Sequence, residues 1–240
     1  MPRPRRQWFP GAIYHVISRG VSRSPIFLHE KDYEKFLSIL NNTLHYSPFN
    51  LHAYCLMSNH YHLLLGTKKD PLMKIMHAVN GAYASWFNKK YDHSGHVFQS
   101  RYTASPVPSD YAMMTVSAYI HNNPRTANIT SNPEDYPWSS YQYYCIPDII
   151  AERNPKPFDT ASTTTPGEET AYAMEALSRL HSPPILPGCA PRSPPHAFTT
   201  DRLRQLFPTP LHHYYPRFTE REWKLRVLQK SALLTKKQEE

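Results

Sequence analysis

The chain has 240 residues, enough for one domain of about 150 residues with an appendage or for two small domains. Its 27 Lys and Arg residues against 19 Asp and Glu residues give a net charge of +8, which favours an anionic partner. A mean hydropathy of -0.60, with no run of about 20 apolar residues and no signal-peptide stretch, argues against a membrane or exported protein. Cys55, Cys145 and Cys189 fit neither a disulfide framework nor a zinc site, so we expect a cytoplasmic location.

Strand and helix periodicities alternate from the start of the chain. The β-branched and aromatic residues at 13–18 predict a strand. The next apolar residues recur at helical spacing and predict a helix with one buried face, formed by Tyr33, Phe36, Leu37, Leu40 and Leu44. Residues 51–57 and 60–66 predict two strands separated only by Ser58 and Asn59, so we expect an antiparallel hairpin.

A second helix and a fourth strand complete the pattern. Asp70 is expected to cap a helix that begins at Pro71 and runs through residue 87. A strand is predicted near residues 97–107, and Ser109 is expected to cap a helix that Pro124 ends. The order predicts an α+β, ferredoxin-like (split β-α-β) fold, an antiparallel four-stranded sheet with helices on one face. The other face is expected to stay free for a ligand.

Proline marks the end of this predicted domain. Twelve of the 24 prolines lie between Pro155 and Pro216, where no helix or strand is expected to run long. We therefore predict a folded domain over residues 1–148, a Pro-rich linker or extension over 149–217 and a basic C-terminal helix over 218–240. Thr219 and Glu222 have the spacing of a capping box that would open this last helix.

A pair of histidines is the first candidate for chemistry. His60 and His62 are two residues apart on a predicted strand, so their Cβ atoms share a face roughly 7 Å apart, within reach of one metal ion. Tyr61, between them, is expected to face the core. The chain has 14 histidines, so a chance pair without a metal is the alternative.

A tyrosine and an asparagine form the second candidate. Tyr119 and Asn123 are four residues apart on a predicted helix and therefore share a face. An amide oxygen suits Mg²⁺ or Mn²⁺, and a tyrosine oxygen can act as a nucleophile. A structural role for Tyr119 in the core is the alternative.

Arginines interleaved with aromatic residues precede the first acidic residue, Glu30. Arginine suits phosphates and aromatic rings stack on unpaired bases, although a solvated basic terminus is the alternative. The candidate contacts in this stretch are Arg3, Arg5, Arg6, Arg19 and Arg23.

Five segments resemble one protein family in their order and spacing. They are IYHVISRG at 13–20, MSNHYHLLL at 57–65, SGHVFQSRY at 94–102, AYIHNNP at 118–124 and YPWSSYQYY at 136–144. Over about residues 10–145 the chain resembles the REP-associated tyrosine transposases (RAYT proteins), which belong to the IS200/IS605-like single-tyrosine HUH transposases.

This resemblance implies a metal-dependent endonuclease and strand transferase that cleaves single-stranded DNA at hairpin-associated sites. It implies that Tyr119 is the nucleophile and forms a 5′-phosphotyrosine, while His60, His62 and Asn123 bind a divalent metal, Mg²⁺ or Mn²⁺. Arg101, inside a resembling segment, joins the candidate phosphate contacts. The expected partner is single-stranded or hairpin DNA, the expected location the cytoplasm in association with the nucleoid, and the oligomeric state is open between monomer and homodimer.

Two other functions fit parts of the pattern. A catalytically silent regulator or architectural protein would bind hairpin DNA without forming a covalent adduct. A metalloenzyme acting on a small molecule could use the histidine pair. That reading lacks a nearby Asp or Glu ligand and leaves the positive charge unexplained.

Overall fold

The strands and helices are seen in a computed structural model that describes residues 8–145, 199, 201–207 and 211–236. The strands are β1 (Ile13–Arg19), β2 (Phe49–Met57), β3 (His60–Thr67) and β4 (Thr103–Pro106). The α-helices are α1 (Glu30–Tyr46), α2 (Leu72–Tyr91), α3 (Asp110–His121), α4 (Asn123–Thr126), α5 (Gln142–Cys145), α6 (Asp201–Leu206) and α7 (Leu211–Lys236). Most of the predicted Pro-rich segment lies outside the described residues.

The four strands form one antiparallel sheet in the order β2-β3-β1-β4. This is the strand order of a split β-α-β fold, so the predicted ferredoxin-like sheet is confirmed. The predicted hairpin is also confirmed, because Met57 pairs with His60 across the turn of Ser58 and Asn59.

The fourth strand is shorter than the predicted 97–107. Upstream of β4, the chain forms one isolated antiparallel bridge, between Gly20 and Phe98, just after the end of β1. Its two hydrogen bonds run from Val21 N to Val97 O (3.1 Å) and from Gln99 N to Arg19 O (2.9 Å). Isolated bonds of this kind do not make a ladder, so strand pairing begins only at Thr103.

Helices α1 and α2 cover one face of the sheet, as predicted. Their apolar faces enclose a core that includes the fully buried Phe36, Leu40 and Tyr83. Tyr61 points into this core and its hydroxyl donates to Asn80 Oδ1 at 2.5 Å, so the expectation for Tyr61 is confirmed.

Two of the predicted helix boundaries need correction. Pro71 has extended backbone and forms the N-cap of α2, so Asp70 lies before the cap and instead accepts from Ser47 Oγ (2.8 Å) and pairs with Lys74 (2.9 Å). Pro124 does not end α3 but opens the short α4, where its missing N–H costs no hydrogen bond. The predicted cap of α3 is confirmed, since Ser109 Oγ accepts from Ala112 N at 3.2 Å.

The opposite face of the sheet is not left free. Side chains from β2 and β3 pack there against α3, α5, α6 and α7 in a second apolar cluster, formed by Ala53, Cys55, Met57, Leu64, Met113, Ile120, Tyr141, Tyr144, Leu203, Phe207 and Tyr215. The expectation of a free face was therefore wrong over most of its area. The reason is that the C-terminal helices return to the sheet, which local periodicity cannot show.

Helix α7 begins at Leu211, eight residues before the predicted capping box. Thr219 lies inside the helix and its hydroxyl donates to Tyr215 O at 2.9 Å, while Glu222 is buried. The capping-box prediction was wrong because packing of Tyr215 on Tyr144, with ring centroids 4.5 Å apart, extends the helix upstream. In the part of the chain that the structure describes, no helix combines the length and apolarity needed to cross a membrane.

A buried polar network joins α7 to α3 and the sheet. The imidazole of His121 lies between Tyr215 Oη (2.6 Å from Nδ1) and Ser140 Oγ (2.7 Å from Nε2). Tyr215 donates onward to Ser117 Oγ at 3.1 Å, so His121 Nδ1 carries the proton that Tyr215 accepts. Ser140 Oγ accepts from Tyr54 N at 2.9 Å, and its hydroxyl proton has His121 Nε2 at 2.7 Å as a nearer acceptor than Tyr54 O at 3.3 Å. A neutral His121 therefore satisfies every member of the network.

This network predicts a pH-dependent stability. Burial lowers the pKa of His121 from 6.5 to about 3, so between these values the unfolded chain binds a proton that the folded chain does not. The free energy of unfolding should then fall with falling pH below 6.5, by up to about 1.4 kcal/mol per pH unit from this residue. The free energy of unfolding can be measured by urea denaturation at a series of pH values. His121→Gln should remove this residue's part of the slope of that free energy against pH, whereas His45→Gln, at an exposed position, should keep it. Equal slopes for the wild type and His121→Gln would contradict the neutral buried state.

Candidate active site

Three histidines meet at one end of the sheet, on the face that carries α3. The rings of His60 and His62 on β3 have centroids 5.0 Å apart. His15 comes from β1, where Ile17 is the direct partner of His62, so His15 is a diagonal neighbour on the same face. His15 Nε2 lies 3.0 Å from His62 Nδ1, and the two rings stack with centroids 5.2 Å apart. The predicted histidine pair is thus extended to a cluster.

Helix α3 brings Tyr119 to this cluster. The ring of Tyr119 lies edge-on to both His15 and His62, with centroid distances of 5.7 Å in each case. Ile120, the next residue, is fully buried in the second apolar cluster and fixes the rotation of the helix. The structure therefore places the tyrosine beside the histidine pair, although the two lie about 60 residues apart in the sequence.

Asn123 lies one turn after Tyr119, at the start of α4. Its amide nitrogen donates to Tyr119 O at 2.8 Å and to Ile120 O at 3.3 Å, across the break between the two helices. Because the donor side of the amide is used in this way, the oxygen is the atom left for a ligand. Within the described residues that oxygen has no hydrogen-bond partner.

Burial keeps the three imidazoles uncharged. It lowers the pKa of His60 to about 4, helped by the charge of Arg19, and that of His15 to about 4, helped by Arg226. The pKa of His62 falls well below its usual value, first because of burial and then because of its neighbours His15 and His60. At neutral pH all three rings are neutral, the form that can accept a hydrogen bond or ligate a metal.

The turn before β3 sets the tautomer of His60. Asn59 Nδ2 donates to Arg23 O at 3.1 Å, which orients the amide so that Asn59 Oδ1 faces His60 Nδ1 at 2.6 Å. An amide oxygen can only accept, so His60 carries its proton on Nδ1 and keeps the lone pair on Nε2.

Of the six arginines predicted to contact DNA, two lie near His60, one lies before β4 and three lie outside the described residues. Arg19 ends β1 directly opposite His60, and Arg23 lies beside the same turn; both are exposed. Arg101 is exposed in the segment before β4. The remaining three candidates, Arg3, Arg5 and Arg6, lie outside the described residues.

Two residues at the site escaped sequence reasoning. His15 alternates along β1 with the buried Tyr14 and Val16, so its position on the outer face could have been found from period-2 patterning. Arg226 Cζ, on α7, lies 4.7 Å from the centroid of the Tyr119 ring, and only tertiary packing brings this residue there.

The domain can be assigned to a family. Residues 9–123, which include all four predicted catalytic and metal-binding residues, match the family described as "Transposase IS200 like". This part of the chain belongs to that family of transposases, which are DNA-cleaving proteins. The comparison with curated proteins gave no match.

Two solved structures resemble the chain. A REP-associated tyrosine transposase bound to a REP hairpin has a TM-score of 0.53 and 16% identity, covering 70% of this chain and 96% of that one. A protein from Deinococcus radiodurans R1 is 22% identical, covers 50% of this chain and 97% of that one, and has a TM-score of 0.36. At this level of identity the first similarity confirms the fold.

The tautomer of His60 can be measured. We expect long-range ¹⁵N–¹H NMR correlations of the metal-free protein to show the proton of His60 on Nδ1 at neutral pH. Asn59→Ala removes the acceptor and should abolish this preference. Asn88→Ala, which removes the corresponding contact with the exposed His93 (3.0 Å), should leave the His60 signals unchanged. A His60 proton on Nε2 in the wild type would show that Asn59 does not set the tautomer.

Proposed function

We propose that the chain is a metal-dependent single-stranded DNA endonuclease and strand transferase that acts at hairpin-associated sites through a 5′-phosphotyrosine on Tyr119. The main support is the contact of the Tyr119 ring with His62, beside His60, in a domain of the IS200-like transposase family. The similar structure with a bound REP hairpin supports hairpin DNA as the substrate class. This activity would place the protein in the cytoplasm, in association with the nucleoid. The protein would act as a monomer or a homodimer.

The residues present fit a divalent metal. His60 offers Nε2 because Asn59 holds its Nδ1, and His62 offers Nε2 if its Nδ1 donates to His15. Asn123 would add its amide oxygen, a hard donor suited to Mg²⁺ or Mn²⁺.

The proposed reaction is a transesterification. Tyr119 Oη loses its proton and attacks the scissile phosphorus, forming the tyrosine–phosphate bond while the bond to the 3′ oxygen breaks. The leaving 3′ oxygen takes up a proton and becomes a free 3′-OH. A bound divalent ion would neutralise charge on the phosphoryl oxygens. Because the phosphodiester is exchanged rather than hydrolysed, a second 3′-OH can reverse the step and join strands without ATP.

Basic residues around the site would hold the DNA backbone. Arg19 and Arg23 lie at the end of the sheet next to His60, and we propose that they contact phosphates, together with Arg101. We extend the same proposal to the N-terminal arginines Arg3, Arg5 and Arg6.

The nucleophile is tested by Tyr119→Phe. This variant should form no covalent adduct with a labelled hairpin oligonucleotide in the presence of Mn²⁺ on a denaturing gel, because it lacks the attacking oxygen, while its affinity for the hairpin should be retained. Tyr111→Phe, an exposed position on the same helix, is the matched control and should form adduct at the wild-type level.

Two results would count against the proposal. Adduct formation by Tyr119→Phe would show that another residue is the nucleophile. Hairpin binding by the wild type without any adduct would favour the alternative function, a catalytically silent regulator or architectural protein.

The metal ligands are tested by the double variant His60→Ala/His62→Ala. Loss of both imidazoles should abolish cleavage and weaken Mn²⁺ binding, measured by calorimetry, by at least about a hundredfold. His45→Ala/His77→Ala removes two exposed histidines from α1 and α2 and should change neither quantity. Circular dichroism should show that both variants are folded. Undiminished, EDTA-resistant cleavage by His60→Ala/His62→Ala would refute the metal site.

A further inference from the structure

We infer that Arg226, on the C-terminal helix, binds a phosphate of the DNA strand next to Tyr119. The inference deepens the proposed function and rests on it. Residue 226 lies far beyond residues 9–123, the part that matches the transposase family, so this contact belongs to the extension of the chain.

The first support is the position of the guanidinium. Arg226 Cζ lies 4.7 Å from the centroid of the Tyr119 ring, in the range of a cation–π contact. A guanidinium in contact with a ring still has N–H groups that can bind two phosphate oxygens. A phosphate that reaches Tyr119 would therefore meet Arg226 donors in the same place.

The second support is that Arg226 is exposed and uncompensated. Within the described residues no carboxylate lies at ion-pair distance from Arg226, whereas Arg125 and Lys224 both pair with Glu220 on the same helix. A free guanidinium beside the Tyr119 ring makes this end of the site electropositive, as an anionic substrate requires.

The third support is the firm attachment of α7 to α3. Besides the Tyr215 contact with His121, Asn122 Nδ2 donates to Thr219 O at 3.0 Å. Further along, Arg125 Cζ lies 3.5 Å from the centroid of the Trp223 ring. Arg226 follows Trp223 by three residues, nearly one helical turn, so it projects from an anchored segment. Held in this way, it loses less conformational entropy on binding than a flexible arm would.

The test compares Arg226→Ala with Arg221→Ala, an exposed arginine on the same helix whose loss changes the net charge equally. With a labelled hairpin carrying a single-stranded extension, Arg226→Ala should form the Mn²⁺-dependent adduct about ten- to a hundredfold more slowly under single-turnover conditions. Arg226→Lys should recover part of the rate, because a lysine keeps the charge without the planar fork. Arg221→Ala should stay within about twofold of the wild type.

A binding assay keeps the inference separate from the proposed chemistry. In a Tyr119→Phe background, Arg226→Ala should lower the slope of log affinity against log salt for the same DNA by about 0.7, as expected for one lost phosphate contact on a single strand. If the wild type forms no adduct but this slope still falls, the phosphate contact stands and the nuclease proposal fails. If Arg226→Ala matches Arg221→Ala in both assays, or forms adduct faster than the wild type, the inference is wrong.

Discussion

The arrangement of the site depends on the buried hydrogen bonds of His121. Its two ring nitrogens join Tyr215 of α7 and Ser140, which in turn bonds to β2, and so fix α3 between the sheet and the C-terminal helix. Tyr119 lies two residues earlier on α3, so the same bonds that stabilise the helix also hold its ring against His15 and His62. A shift of α3 would separate the tyrosine from the histidines, which belong to the rigid sheet.

Burial keeps imidazole rings neutral both in the His121 network and in the histidine cluster of the site. It lowers the pKa of His121 and those of His15, His60 and His62, so all four rings are neutral at physiological pH. In the network, neutrality lets His121 donate on one side and accept on the other. At the site, neutrality leaves lone pairs for a metal and avoids repulsion between adjacent rings. One physical effect therefore serves both stability and the proposed chemistry.

The C-terminal helix gives this domain a second layer. A sheet with helices on one face alone would expose Leu64, Cys55 and Met57, but α3 and the returning helices cover them. The cover ends at the histidine cluster, where Tyr119 is half-buried and Arg226 is exposed. The extension beyond the family domain thus contributes to the core and also shapes the edge of the site.

The sequence alone was enough to predict the strands, the hairpin and the shared face of His60 and His62, because these follow from periodicity and turn length within a few residues. It also placed Asn123 one turn from Tyr119. Tertiary structure alone decided that α3 packs against the histidines, that the second face is covered and that α7 starts at Leu211. These outcomes depend on contacts such as His121 with Tyr215, between residues 94 positions apart, whose energies no local pattern reveals.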